Sequence, residues 1–263
     1  EPMKYGVFSG GKRFRPAIIV NTGKIFNIDY KKLIIIAAAI ECVHSYSLMH
    51  DDLPAMDNDD LRRGLPSCHK AFDEATAILA GDALLTHAFA ALSQPRSGEG
   101  PGHERRQIRA VACLAEAAGA GGMVGGQWLD LLAEGCSLTP EELDEVHARK
   151  TGALLASSLL MGGLAADAVA SVLGALDEYG RSVGLAFQIT DDILDATQSP
   201  ETLGKNPSDT NLDKATYVAL YGIEKSKQMA REASDRARGA LLMAGLEAPI
   251  LLALARFVVE RDN

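Results

Sequence analysis

The sequence predicts an all-α fold, a large helical bundle, on three observations. The composition is 47% hydrophobic but only 5% aromatic, with Ala, Leu and Gly abundant, which favours helices over strands. Long stretches carry the helical repeat of apolar positions, and no period-2 alternation of strand length stands out. At 263 residues the chain can bury a substantial core. It is read as a single domain over 1–263, because apolar periodicity resumes on both sides of its one loop-like stretch, QPRSGEGPGH at Gln94 to His103.

The elements follow in order. Gly10 and Gly11 make a turn, with Pro16 expected as the first residue of the helix that follows. One long apolar helix is expected over 31–52 and another over 72–92 (FDEATAILAGDALLTHAFAAL). Thr139, Pro140, Glu141 and Glu142 supply a cap, a first-turn proline and early acids, starting a helix that runs to about 162. Further helices are expected over 167–195 and, more polar, over 214–244. The weakly charged span from Ala153 to Leu176 is long enough to cross a bilayer, yet it carries Ser157, Ser158, Gly162-Gly163 and Asp167. A pair of buried helices is the reading, with no membrane span.

The net charge of −9 and pI near 5.2 argue against nucleic acid or an anionic membrane as the main partner. Cys42, Cys68, Cys113 and Cys136 are scattered without metal-like spacing, as thiols of a reducing, cytoplasmic compartment are. No signal peptide opens the chain, and Glu1 is not an initiator methionine, so residues are expected in front of it.

The chemistry begins at His50 to Gly64, HDDLPAMDNDDLRRG, where Asp51, Asp52, Asp57, Asp59 and Asp60 crowd behind the apolar run LIIIAAAI. Carboxylates about 4 Å apart repel by roughly 1 kcal/mol in water and about 4 at an effective dielectric near 20, so a positive partner is missing. Asp51 and Asp57 stand about 240° apart on an ideal helix and would need a break to share a metal. Pro54 supplies one, looping the chain so that Asp57 swings back beside Asp51. An oxygen-only, carboxylate-rich site suits Mg²⁺ shared with substrate phosphates. The EF-hand alternative fails for want of its glycine and terminal glutamate.

A second acid group, QITDDILD, places Gln188, Asp191, Asp192 and Asp195 at i, i+3, i+4 and i+7, one helix face. Solvated acids at a helix C-terminus would oppose the macrodipole, which favours a shared cation. In SGGKRFRP, the glycine turn with Lys12 and Arg15 at a helix N-terminus forms an anion site. His44 lies two turns before Asp51 on the same face, with contact to a ligand and a place in the core both open. Arg62 and Arg63 point to different sides and can each take a phosphate. Lys150 and Lys205 add charge near helix and loop ends. Two acid clusters for metal, a separate basic pocket and apolar helices between them imply two anionic substrates with apolar tails.

These stretches, GGKRFRP, HSYSLMHDDLPAMDNDDLRRG, ILAGDALL, GGQWLDL, RKTGAL, FQITDDILD and LGK followed by KATY, together resemble the short-chain trans-isoprenyl diphosphate synthases, in the bacterial and plastid style with two extra residues in the first aspartate motif. The resemblance covers nearly the whole chain in order. It implies an all-α bundle around a deep central cavity, a homodimer, and head-to-tail condensation of isopentenyl diphosphate with an allylic diphosphate. Asp51 and Asp57, with Asp52 nearby, would ligate two Mg²⁺; Asp191, supported by Asp192 and Asp195, would hold a third, with Mn²⁺ as a substitute. Arg62, Lys150 and Lys205 would contact the allylic diphosphate. Lys12, Arg15, His44 and Arg63 would hold isopentenyl diphosphate, and Thr151 and Gln188 would face the developing carbocation. No protein nucleophile is needed, and the departing pyrophosphate would take the proton.

Tyr46 and Ser47, at the fifth and fourth positions before Asp51, bear on chain length in this family. An aromatic at Tyr46 resembles the floor of C15-forming members, with C20 the second reading; packing is the other role open to that ring. A further C5 unit gains roughly 4 kcal/mol at about 0.8 per buried CH₂, so a bulky floor can decide the product. Gln127 and Asp130 match a family pattern lining the cavity, while Trp128 and the neighbouring glycines read equally as packing. One departure is the missing glycine after Lys205 in LGKNPSDTNLDKATY. A class I terpene cyclase would share the aspartates but not the second diphosphate pocket. An HD-type phosphohydrolase would need more metal-binding histidines. A non-catalytic regulatory subunit would typically lose an aspartate cluster.

Overall fold

The computed structural model describes residues 1–94, 102–197 and 216–261. The central rod is α3, Tyr30–Asp51, reached through two earlier helices, α1 (Pro2–Phe8) and α2 (Phe14–Ile25). Asp29 caps α3 by accepting the Lys31 N–H at 3.0 Å. Leu33, Ala37, Ala39, Ile40 and Val43 are almost fully buried. Apolar residues on more than one side make this a helix for the interior, and α2 and α5 pack against it.

Arg13 stands at the cap of α2 in a left-handed conformation, so the helix begins at Phe14 and Pro16 is its third residue, where the sequence predicted the first. After Asp51 comes a two-residue hairpin, β1 (Leu61–Arg62) with β2 (Leu65–Pro66), antiparallel with Leu61 opposite Pro66. Arg63 and Gly64 turn it with φ of 55° and 77°. The ladder is too short to show a period, which is why no strand was expected. A short α4 (Cys68–Ala71) precedes α5 (Glu74–Ser93), whose cap Asp73 accepts the Thr76 N–H at 2.7 Å.

Beyond these lie α6 (His103–Ala118), α7 (Met123–Leu132) and α8 (Pro140–His147). The capping box expected at Thr139 is present, Thr139 and Glu142 bonding each other's backbone N–H. The helix expected to run on to about 162 does so, widening to a π-turn at Ala148–Gly152 and continuing as α9 (Ala153–Ala165). α10 (Ala170–Thr197) starts after Asp167, which is left-handed at φ 56°. Gly222, at φ 76°, divides the predicted 214–244 helix into α11 (Tyr217–Tyr221) and α12 (Ile223–Met243). A last helix, α13 (Pro249–Glu260), follows a proline-initiated apolar run that the sequence reading passed over.

One core gathers α3, α5 and α6; another gathers α10, α12 and α13, and α9 contributes to both through Leu154 and Leu155. The stretches Tyr30–Asp51, Glu74–Ser93 and His103–Leu132 are long and apolar enough to cross a membrane by length and composition alone. The span questioned in the sequence, Ala153–Leu176, is instead two helices separated at 166–169.

Candidate active site

The first acid region is built by ending a helix. α3 stops at Asp51, and beyond Pro54 the chain returns so that the Asp57 N–H donates to the Asp51 carbonyl at 2.9 Å. Asn58, left-handed at φ 53°, donates to the Leu53 carbonyl at 3.1 Å and completes the loop. Burial pushes the Asp51 carboxyl up to about 6, with Lys150 opposing the rise and Asp57 adding to it. Asp51 Oδ1 accepts from Gln127 Nε2 at 2.5 Å.

Asp52 behaves differently from its neighbour. It is 2% exposed and holds Arg62, whose Nε donates to Oδ1 at 2.7 Å while Nη2 bonds the same oxygen. Arg62 also meets Asp59 at 3.2 Å, whereas Asp60 pairs with Lys70 at 2.9 Å. The two outer aspartates therefore split: one orders an arginine and the other a lysine.

The second acid region is a plain helix face. On α10, Asp192 is 7% exposed and accepts the Tyr217 N–H at 2.9 Å and Gln188 Nε2 at 3.3 Å. Burial raises its carboxyl to about 6 despite these bonds. Asp191 is paired with Arg261, whose guanidinium lies 4.1 Å above the Phe187 ring and donates to the Phe187 carbonyl at 3.3 Å. Asp195 follows one turn later.

Among the described residues, no three acidic, histidine or cysteine side chains close into a metal cage. Asp52 is engaged by Arg62, and Asp192 by Tyr217 and Gln188, so each carboxylate expected beside the metal is ordered by a neighbour. The arrangement still fits Mg²⁺. The loop brings Asp51 and Asp57 together as hard oxygen donors, Asp57 disfavouring the charge on Asp51, and Mg²⁺ keeps waters and substrate phosphates rather than demanding an all-protein cage.

Between the acid regions stands the π-turn. Lys150 Nζ donates to Asp130 Oδ2 at 2.6 Å. Burial works to lower the Lys150 pKa, but Asp51, Asp130 and Asp57 raise it on balance, so it stays cationic. Thr151 Oγ1 donates to Gln188 Oε1 at 3.4 Å, bringing together the two residues expected at the carbocation. A wide turn of this type often sits at a functional site, because it re-aims side chains that a regular helix would place elsewhere.

The basic pocket lies on the other side of the first region. His44 is held neutral, well below its usual range, by burial and by Arg15, Arg63, Arg13 and Arg62 around it. It belongs with the arginines and does not serve Asp51. Burial lowers Arg15 to about 10, and its Nε has no hydrogen-bond partner among the described residues. Arg63 donates to the Gly10 carbonyl and lies across Gly11, where a Cβ would come within 2.5 Å of its guanidinium carbon. A Cβ there would displace the end of Arg63, and the φ of 109° at Gly11 is a conformation that favours glycine. Lys12 is exposed beside this turn. Arg13, which the sequence reading left out, pairs with buried Glu41 at 2.8 Å and bonds the Gly10 carbonyl at 2.7 Å, bracing the turn. Its signal was present in SGGKRFRP, but the partner lies 28 residues away.

Tyr46 is buried and meets the His50 ring edge to face at 5.7 Å, while Ser47 Oγ donates to the His44 carbonyl at 2.9 Å. Lys205 lies outside the described residues.

A helical bundle bearing two aspartate regions, a basic pocket and a Lys-Thr turn is the arrangement of an isoprenoid-forming synthase. Residues 1–240 match the polyprenyl synthetase family model, and the chain belongs to that family. It is 47% identical to the farnesyl diphosphate synthase of Escherichia coli strain K12, covering all of this chain and 89% of that protein. It is 41% identical to the chloroplastic geranylgeranyl pyrophosphate synthase of Catharanthus roseus, over all of this chain and 74% of the plant protein. Among solved structures, the geranyltransferase of Helicobacter pylori, complexed with magnesium and isoprenyl diphosphate, superposes with a TM-score of 0.84 at 34% identity, covering 98% of this chain and 86% of that one.

Proposed function

We propose that this protein is a Mg²⁺-dependent farnesyl diphosphate synthase, joining isopentenyl diphosphate head to tail (1′-4) with dimethylallyl or geranyl diphosphate. The observation that carries this reading is that two separate carboxylate regions stand on either side of Lys150, Thr151 and Gln188, while a distinct arginine-histidine pocket lies beside the first of them. One diphosphate is then held through metal and the other through guanidinium groups. A cyclase has one diphosphate to bind and no use for the second pocket.

In this reading Asp51 and Asp57, with Asp52 nearby, and Asp191, supported by Asp192 and Asp195, would hold three Mg²⁺ with the allylic diphosphate, with Mn²⁺ able to substitute. Bound there, Mg²⁺ would supply charge neutralisation for the pyrophosphate that leaves as the allylic C–O bond breaks. Arg62, Lys150 and Lys205 contact the same diphosphate. Lys12, Arg15, His44 and Arg63 orient isopentenyl diphosphate so that its double bond attacks the cation, and pyrophosphate takes the proton whose loss forms the new double bond. The dipoles of Thr151 and Gln188 stabilise the carbocation without offering a nucleophile. Apolar helix walls exclude the water that would trap it.

Tyr46 supports a C15 product, with geranylgeranyl diphosphate the second reading. We read the chain as one domain over 1–263, spanning no membrane and binding no nucleic acid. The scattered thiols support a cytoplasmic location. A homodimer would cover the exposed Leu79 of α5 and Ile108 of α6, which are 67% and 70% accessible. The deciding experiment incubates radiolabelled isopentenyl diphosphate and Mg²⁺ with each of the C5, C10 and C15 allylic diphosphates, then sizes the products. Mainly C15 from the first two is expected. Mainly C20 would move the assignment to the alternative, and no incorporation would defeat the synthase reading.

A further inference from the structure

We infer that α7 is a spacer that fixes the first aspartate region relative to the Lys150 turn, with Gln127 and Asp130 as its positioning residues. The inference rests on the synthase reading and adds to it a role for a helix outside the motifs that contact substrate.

Four observations carry it. Gln127 and Asp130 are three residues apart, hence on one face of the helix. From that face Gln127 Nε2 reaches Asp51 Oδ1 at 2.5 Å, and Asp130 Oδ2 receives Lys150 Nζ at 2.6 Å. A carboxylate is acceptor-only, so the amide must present its NH₂ to Asp51, which fixes how Gln127 is turned. Next, the helix lies flush against the turn. A Cβ at Gly126 would stand 2.1 Å from the Lys150 nitrogen and 2.6 Å from its Cα. Even one methyl group there would push α7 and the π-turn apart.

The third observation is that α7 is inside out. Trp128, Leu132 and Val124 are 61%, 55% and 49% exposed, whereas the polar Gln127 and Asp130 face inward and are half-buried. Only Met123 and Gly126 of this helix are buried. Beyond the packing of Met123 and Gly126, its inward face is therefore held by charge-assisted hydrogen bonds. Finally, the bonds continue past the turn. Thr151 bonds Gln188, Gln188 bonds Asp192, and Asp192 takes the Tyr217 N–H. These side-chain bonds, joined through the backbone of α7 and of the π-turn, link the two acid regions, with α7 at the first of them.

Outer groups that orient metal-binding carboxylates typically alter metal affinity by about 10–100-fold when removed. The test is Mn²⁺ binding followed by electron paramagnetic resonance, with inorganic pyrophosphate present, for the full chain and for Gln127→Leu. Steady-state kinetics of Asp130→Asn and Asp130→Glu run alongside, with Tm measured for every variant. Gln127→Leu is expected to weaken Mn²⁺ about tenfold or more at unchanged Tm. Asp130→Asn is expected to lower kcat about tenfold while KM for isopentenyl diphosphate stays put, and Asp130→Glu to recover most of the loss. Wild-type Mn²⁺ affinity in Gln127→Leu, or unaltered kcat in Asp130→Asn, would overturn the inference. If the unmodified protein fails to retain Mn²⁺ with pyrophosphate, the metal reading beneath it falls first, and the inference with it.

Discussion

The two aspartate regions solve one problem by opposite means. Asp191, Asp192 and Asp195 use a regular helix, whose repeat puts them on one face without any special residue. Asp51 and Asp57 lie on no common face and are joined only because α3 ends, Pro54 intervenes and the Asp57 N–H returns to the Asp51 carbonyl. The difference teaches what each can tolerate. Helical spacing survives most substitutions nearby, whereas a site made by a chain reversal depends on the residues that turn it. Their supports differ as well: Asp51 leans on Gln127, and Asp191 is covered by Arg261.

Breaking the first region at its centre should have the largest effect. Asp51→Asn keeps the shape and removes the charge, and a fall in kcat of about 10³-fold is expected at unchanged Tm, measured by incorporation of labelled isopentenyl diphosphate. Asp191→Ala should slow turnover by about 10²-fold without unfolding the protein; unaltered activity would remove that residue from the metal reading. Pro54→Ala probes the turn alone. It should raise the Mg²⁺ concentration needed for half-maximal rate by about tenfold, whereas alanine substitutions at exposed sites along α10 should leave it unchanged.

Acidity sharpens the comparison further, since burial raises both Asp51 and Asp192 to about 6. In the metal-free protein each keeps its proton up to about pH 6 and would lose it near 3.8 on unfolding. The unfolded state thus holds fewer protons between those values, so the contribution of these groups to stability is fully present below about 4 and declines as pH rises to about 6. Mg²⁺ competes with those protons. The Tm gain on adding Mg²⁺ and pyrophosphate should therefore be large at pH 7.5 and shrink steeply below about pH 6, as calorimetry would register. The smallest effect on rate is expected from Tyr46→Ala, which leaves both regions intact and should lengthen the product on chromatography.

Legibility in the sequence followed the same division. The face shared by Asp191, Asp192 and Asp195 could be read from spacing, and so could the break at Pro54. What spacing could not show was which carboxylates would be engaged by partners far along the chain. Asp52 with Arg62, Asp192 with Tyr217, and Asp191 with Arg261 are contacts across 10, 25 and 70 residues. They arise from tertiary packing, to which a local pattern is blind. The π segment inside the helix expected from Thr139 to about 162 was illegible for a related reason: it requires no residue type of its own, and only the fold reveals where it falls. The grouping of His44 with the arginines needed α2, α3 and the hairpin to meet.

That grouping has a consequence for handling the protein. Four guanidinium groups surround a neutral imidazole, and while Arg13 and Arg62 are paired with Glu41, Asp52 and Asp59, Arg15 and Arg63 add positive charge that the pocket's carboxylates balance less fully. Any small polyanion that enters relieves that imbalance and stabilises the folded state in proportion to its occupancy. A buffer is then not an inert medium. Phosphate or sulfate should raise the melting temperature and weaken apparent substrate affinity together, so an assay mixture chosen for stability would contain a competitor for the substrate.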